Sequence, residues 1–136
     1  MLLVRKQFRF KIAVCKFQKL LKSLADCKIN IVAINVQNYK CDKYKVHIIV
    51  GITDSTKKDC EWNKLFKYYL KCLEVCDYKT NKVIQKFPCS NSTYSFKKDN
   101  KELKCIKIYN IYNAKCNSII YDVSSCDLDK AICLLK

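Results

Sequence analysis

The reactive side chains of this chain are eleven cysteines and a single histidine. The cysteines are Cys15, Cys27, Cys41, Cys60, Cys72, Cys76, Cys89, Cys105, Cys116, Cys126 and Cys133. No two stand three apart, so the Cys-x-x-Cys element of zinc ribbons and dithiol redox sites never occurs. Cys72 and Cys76 lie four residues apart at a helix end, and that spacing could share a metal. A cysteine nucleophile needs a base beside it. The one histidine, His47, alternates with Val46 and Ile48 and reads as an ordinary strand residue. Twelve acidic residues offer no pair at a spacing that suggests a carboxylate dyad. With one glycine, phosphate-cradling loops are absent, as are zincin patterns. The expectation is a protein that is not an enzyme and holds no metal or cofactor. Its cysteines are expected to be reduced thiols acting as small hydrophobes, since a disulfide framework needs an oxidising compartment.

Charge is the other conspicuous feature: 27 Lys+Arg against 12 Asp+Glu, a net +15. Such a charge steers a protein toward nucleic acid, an anionic membrane or an acidic protein. The positives are nearly all lysine and spread along the whole chain; Arg5 and Arg9 are the arginines that could fork onto phosphate or bases. Abundant Lys, Asn, Ile and Tyr also fit an AT-rich genome, which supplies lysine without selection for binding. Tyrosines fall on core positions of helices and strands rather than alternating with arginine on a strand face; Tyr39, Tyr44, Tyr109 and Tyr112 are the exceptions, near hairpin ends. The apolar run in MLLVRKQ is too short for a secretory leader, and no stretch reaches membrane-spanning length. A cytoplasmic protein with no membrane contact is expected.

The elements that would position these residues follow from periodicity. Phe8, Phe10, Ile12 and Val14 alternate with Arg9, Lys11 and Ala13 as a half-buried strand. Phe17, Leu20, Leu21 and Leu24 make one helical stripe. Two β-branched runs joined by Asn38–Lys43 predict a hairpin ending near Ile52. Trp62, Leu65, Phe66, Tyr69 and Leu73 form a second stripe, with Lys64, Lys67 and Lys71 on the wet side, and Val83–Phe87 is the next strand. The order is βαββαβ, the ferredoxin-like split βαβ arrangement of the α+β class, with two helices on one face of an antiparallel sheet. After a loop at Pro88–Ser92 comes a weak helix at Tyr94–Lys104, strands at Ile106–Tyr112 and Ser118–Val123, and a helix capped by Asp127. The second half reads as a degraded copy of the first that stops before a final strand. The expected division is residues 1–80 and 81–136.

The residues carrying those boundaries resemble the ACT domain family, small-molecule-sensing modules of amino-acid metabolism. Leu24-Ala25-Asp26-Cys27-Lys28-Ile29-Asn30-Ile31 resembles the family's L-A-x-A-G-I-N-I at the helix end and strand start. Cys105-Ile106-Lys107-Ile108 sits where G-I-x-I would fall again, and Asp127-Leu128-Asp129-Lys130-Ala131 is similar to the D-x-x-K-A that opens the second helix. Asn81-Lys82-Val83-Ile84-Gln85 resembles the joint of small tandem ACT proteins, and the likeness covers about residues 8–136. The resemblance implies two tandem ACT-like units with antiparallel sheets. In the family, a loop N-x-P-G-x-L offers backbone amides beside a helix N-terminus to a ligand carboxylate. Here that loop is Ala13-Val14-Cys15-Lys16-Phe17, without Gly or Pro, and Pro88-Cys89-Ser90-Asn91-Ser92 in the second half, without Gly. The positions carried over as ligand-binding are Cys15, Asn30, Ser90 and Asn91.

The resemblance implies a regulatory protein that binds an amino acid, a similar small molecule or a partner protein at the inter-unit or dimer seam, and forms a homodimer through sheet edges. The alternative is a small basic ferredoxin-like protein that binds nucleic acid or an acidic partner protein, for example as a phage-type inhibitor.

Overall fold

The computed structural model describes residues 1–88 and 105–136. The elements are β1 (Leu2–Ala13), α1 (Val14–Asp26), β2 (Ile31–Asn38), β3 (Lys43–Val50), α2 (Asp59–Cys72), β4 (Lys79–Lys86), β5 (Ile108–Ala114), β6 (Ser118–Val123) and α3 (Leu128–Leu135), the last preceded by a 3-10 turn at Ser125–Asp127. The strands are hydrogen-bonded in the order β2-β3-β1-β4-β6-β5. The class is α+β. The helix expected at Tyr94–Lys104 and most of the loop before it lie outside the described residues. Two compact units divide the chain: one is Lys6–Asn81, the other joins Met1–Arg5 to Lys82–Lys136.

In the unit Lys6–Asn81, β3 pairs antiparallel with both β1 and β2, placing Phe8 opposite Ile48 and Phe10 opposite Val46. Alternation sends Phe8, Phe10 and Ile12 to the face covered by both helices, where they meet Phe17, Leu20 and Leu24 of α1 and Phe66 and Leu70 of α2. The Phe66 ring lies 4.7 Å from Phe8 and 6.0 Å from Phe10, both tilted. Tyr78 packs on Phe8 at 5.8 Å. That contact sets how α2 is rolled. The expected stripe through Leu65 is rotated, so that Asn63, Phe66 and Leu70 point inward and Leu65 is 37% exposed.

Both helices of this unit end in the same way. Lys28, at φ 56°, follows the last turn of α1; its amide bonds Ala25 O at 3.0 Å and that of Ile29 bonds Leu24 O at 2.9 Å. Glu74, at φ 59°, repeats the pattern after α2, with Glu74 N on Lys71 O and Val75 N on Leu70 O. This is the double-bonded Schellman ending, whose left-handed residue is ordinarily glycine. Here a lysine and a glutamate accept the steric cost of their Cβ.

In the other unit, the start of β1 lies beside β4, with Met1 and Phe87 exchanging backbone bonds, Phe87 N to Met1 O at 2.9 Å and the Met1 amine to Phe87 O at 3.0 Å. The strand therefore begins at Leu2, six residues before the alternation that marked it in the sequence. These first residues pair along β4 on the side away from β6. β6 is buried along its whole length. One face turns Ile119, Tyr121 and Val123 toward Ile84 and toward Ala131 and Leu135 of α3. The other face sets polar residues around Ile120: Arg5 Nη1 donates to Gln85 Oε1 at 3.3 Å, Gln85 Nε2 to Ser118 Oγ at 2.8 Å, and Ser118 Oγ to Lys115 O at 2.7 Å. Arg5, Gln85, Ser118 and Asp122 are each 2% exposed or less. Buried polar groups persist only when so bonded.

Asp127 stands at the N-cap of α3 but makes no side-chain cap there. Its Oδ2 instead accepts from Ser124 Oγ at 2.6 Å and from the Lys107 amide at 3.1 Å, tying the 3-10 turn to the start of β5. The Ser124 hydroxyl first, then the Lys107 amide, hold its carboxyl below the usual range.

Two outcomes are expected. Replacing Lys28 or Glu74 by glycine removes the left-handed penalty and raises stability by roughly 0.5–1 kcal/mol each, measured by urea unfolding. Because Asp127 is depressed in the folded state, its contribution is complete above the ordinary carboxylate pKa and is lost as pH falls through the folded value. In Asp127→Asn that acid-limb loss of order, followed by amide exchange at Lys107 and along α3, disappears.

Candidate ligand site

Cys15 is expected in a loop between β1 and α1, and the strand instead passes directly into the helix. Ala13 is the last strand residue and, at φ −63° and ψ 144°, also the N-cap, so Val14 already belongs to the helix. The Val14 amide donates to Asp42 O of the β2–β3 turn at 2.9 Å, so one of the helix's free N-terminal donors is consumed internally. That turn is held by Lys40 and Asp42, both in the left-handed region. Cys15 is exposed in the first turn, where no acidic side chain balances the helix dipole.

Asn30 lies past the opposite end of α1. Its Nδ2 donates to Gly51 O at 2.9 Å and Thr53 Oγ1 at 3.2 Å, while its carbonyl accepts from the Gly51 amide at 3.0 Å. These bonds staple the start of β2 to the end of β3. From Cys15 to its last residue, Asp26, α1 rises about 16 Å at 1.5 Å per residue, and Asn30 lies beyond that far end. The structure does not bring them together. Ser90 and Asn91 lie outside the described residues.

The cysteines overturn an expectation. All ten described cysteines are free thiols, and all ten are exposed rather than packed as small hydrophobes. Leucine, isoleucine, valine and phenylalanine fill the core positions instead. Two thiols meet phenols: Tyr69 Oη donates to Cys27 Sγ at 2.7 Å, and that bond first, then burial, pushes the Tyr69 hydroxyl up to about 12. Cys72 raises the Tyr68 hydroxyl in the same sense. Among the described residues no three Cys, His, Asp or Glu converge as metal ligands, Cys72 and Cys76 included. His47 is half-buried in β3, in register with Arg9 and Asn35, and no cysteine lies in either register partner position.

The four singled-out tyrosines do not form a nucleic-acid platform. Tyr44 packs edge-on against Phe17 at 5.5 Å. Tyr112 is mostly buried; burial first and the Asp122 carboxylate second push its hydroxyl above the ordinary value. Tyr109 and Tyr39 are surface rings under lysines, Lys107 at 5.0 Å and Lys11 at 4.2 Å. A hydrogen bond with Lys11, then the charges of Lys11 and Lys40, lower the Tyr39 hydroxyl. The polar set Arg5, Gln85, Ser118 and Asp122 escaped sequence reading. Its signal was present as polar residues at inward positions of otherwise apolar strands.

Replacing Asn30 by alanine removes both side-chain bonds, to Gly51 O and Thr53 Oγ1, and leaves the backbone bond from the Gly51 amide. A loss of about 1–2 kcal/mol is expected by thermal unfolding, with faster exchange of the Gly51 amide.

No family model and no curated protein sequence matches this chain. Solved structures do. A protein from Bacteroides thetaiotaomicron superposes with TM-score 0.69 at 18% identity, over 98% of this chain and 88% of that one. The ligand-free regulatory subunit of aspartate kinase from Thermus thermophilus gives TM-score 0.65 at 11% identity, over 99% and 93%. A C-terminal regulatory domain of aspartate kinase from Porphyromonas gingivalis gives 0.60 at 13%, over 99% and 93%. The fold of this chain, over nearly its full length, is that of the ACT-domain regulatory region of aspartate kinases.

Proposed function

We propose that this chain is a regulatory, ligand-sensing protein built as two tandem ACT-like units, the second a shortened relative of the first, and that it is not an enzyme. The observation that carries the reading is the likeness, over 99% of the chain, to the ligand-free regulatory subunit of aspartate kinase from Thermus thermophilus. The ligand is an amino acid or a similar small molecule. Ser90, Asn91 and the amide of Cys15 at the start of α1 are the positions offered to its carboxylate, with Asn30 holding the β2–β3 frame. Two copies pair through sheet edges, and β2, at one end of the strand order, presents Ile34 and Val36 to solvent.

The mechanism is mass action. A ligand that binds only the folded protein stabilises it by about 2.7 kcal/mol at a concentration 100 times its dissociation constant. In a thermal-shift series with all twenty amino acids at millimolar concentration, one or a few raise the melting temperature. If none does, the amino-acid reading is wrong.

A further inference from the structure

We infer that the outer side of α2 carries a second, separate site for a small polyanion with an aromatic body, of the nucleoside polyphosphate class. Lys64, Lys67, Tyr68 and Lys71 of α2, with Val75, Cys76 and Tyr78 of the segment that follows, line a cavity of about 500 Å³. This is within the usual range for small-ligand pockets. The Schellman ending at Glu74 turns the chain, and Val75, Cys76 and Tyr78 beyond it form one wall of what is an open groove, with α2 as the other.

The chemistry of the lining selects the ligand. Lys64, Lys67 and Lys71 recur at i, i+3 and i+7, so three ammonium groups share one helix face and repel one another. Among the described residues none of the three forms an ion pair, whereas Lys22 and Lys58 each have a carboxylate one turn away. Glu74 and Asp77 are exposed on the same turn but do not line the cavity. Three unneutralised lysines repel the ammonium of a zwitterionic amino acid and suit a multiply charged anion. Lysine is a point charge that accepts phosphate oxygens without a fixed fork geometry. Of the remaining lining, Tyr68 is 59% exposed and offers a ring for a base to stack on, with Tyr78 and Val75 beside it.

The test uses calorimetry on the full chain under reducing conditions, with ATP, inorganic tripolyphosphate and adenosine as probes. ATP is expected to bind, tripolyphosphate several-fold more weakly, and adenosine not measurably. Lys67→Glu is expected to weaken ATP by about tenfold, while Lys19→Glu, an equal charge change on α1, leaves it little altered. Bound ATP is also expected to slow alkylation of Cys76 and not of Cys15, read by peptide mass spectrometry. The inference is overturned by any of four results: no ATP binding, equal loss in both charge variants, equal affinity for ATP and tripolyphosphate, or no protection of Cys76. It stands apart from the amino-acid reading, since the probe, the residues and the protected thiol all differ.

Discussion

The contact on which the larger unit depends is the ring of Phe8 against that of Phe66. Phe8 is fully buried in the middle of β1, and Phe66 is fully buried at the centre of α2. Aromatic pairs at this spacing gain more than their buried area alone provides. Around them everything else is placed by geometry. β1 fixes the register of β3 through Phe8–Ile48, β3 fixes β2, and α1 closes the same face through Phe17, Leu20 and Leu24. Because Phe66 also meets Phe10, α2 can roll very little before losing both contacts. The helix face that carries Lys64, Lys67 and Lys71 is consequently the one turned away from the core.

A second constraint is the near-absence of glycine. Left-handed turns fall instead to Lys28, Lys40, Asp42, Glu74, Cys116 and Asn117. Asn and Asp tolerate that region comparatively well; Lys, Glu and Cys do not. The packing that follows each turn, such as Ile29 after α1 and Val75 after α2, must therefore over-determine the backbone. The same shortage explains why β1 passes into α1 with no loop between them.

What could be read from the residues was whatever repeats. Phe8, Phe10 and Ile12 announced β1, and the Leu20–Leu24 stripe announced α1, because each is apolar at the period of its element. In the second half, β6 lies at Ser118–Val123 as expected, whereas β5, Ile108–Ala114, starts and ends two residues later than the expected Ile106–Tyr112. Leu2–Lys6 was not legible in this way. Arg5 and Gln7 occupy inward positions of β1, and their polarity hides a strand whose partners, Gln85 and Asn81, come more than seventy residues later. Cysteine misled in the opposite direction, since its hydrophobicity suggests the core and its positions are on the surface. Asn30 was recognised as special, but its hydrogen bonds to Gly51 and Thr53 give it a role in joining strands. Asp127 was likewise placed correctly at a helix start, while the bonds it makes run backward to Lys107 and Ser124.

The exposed thiols have a consequence for how copies of this protein meet. A surface with ten accessible sulfhydryls records the oxidising power of its surroundings. In a reducing medium it behaves as a polar, positively charged surface, and encounters between copies end as readily as they begin. Once an oxidant such as dissolved oxygen removes two electrons and two protons from a pair of apposed thiols, the encounter becomes a covalent bond. Any contact between two copies that began as reversible is then locked in whatever arrangement the two sulfurs happened to share.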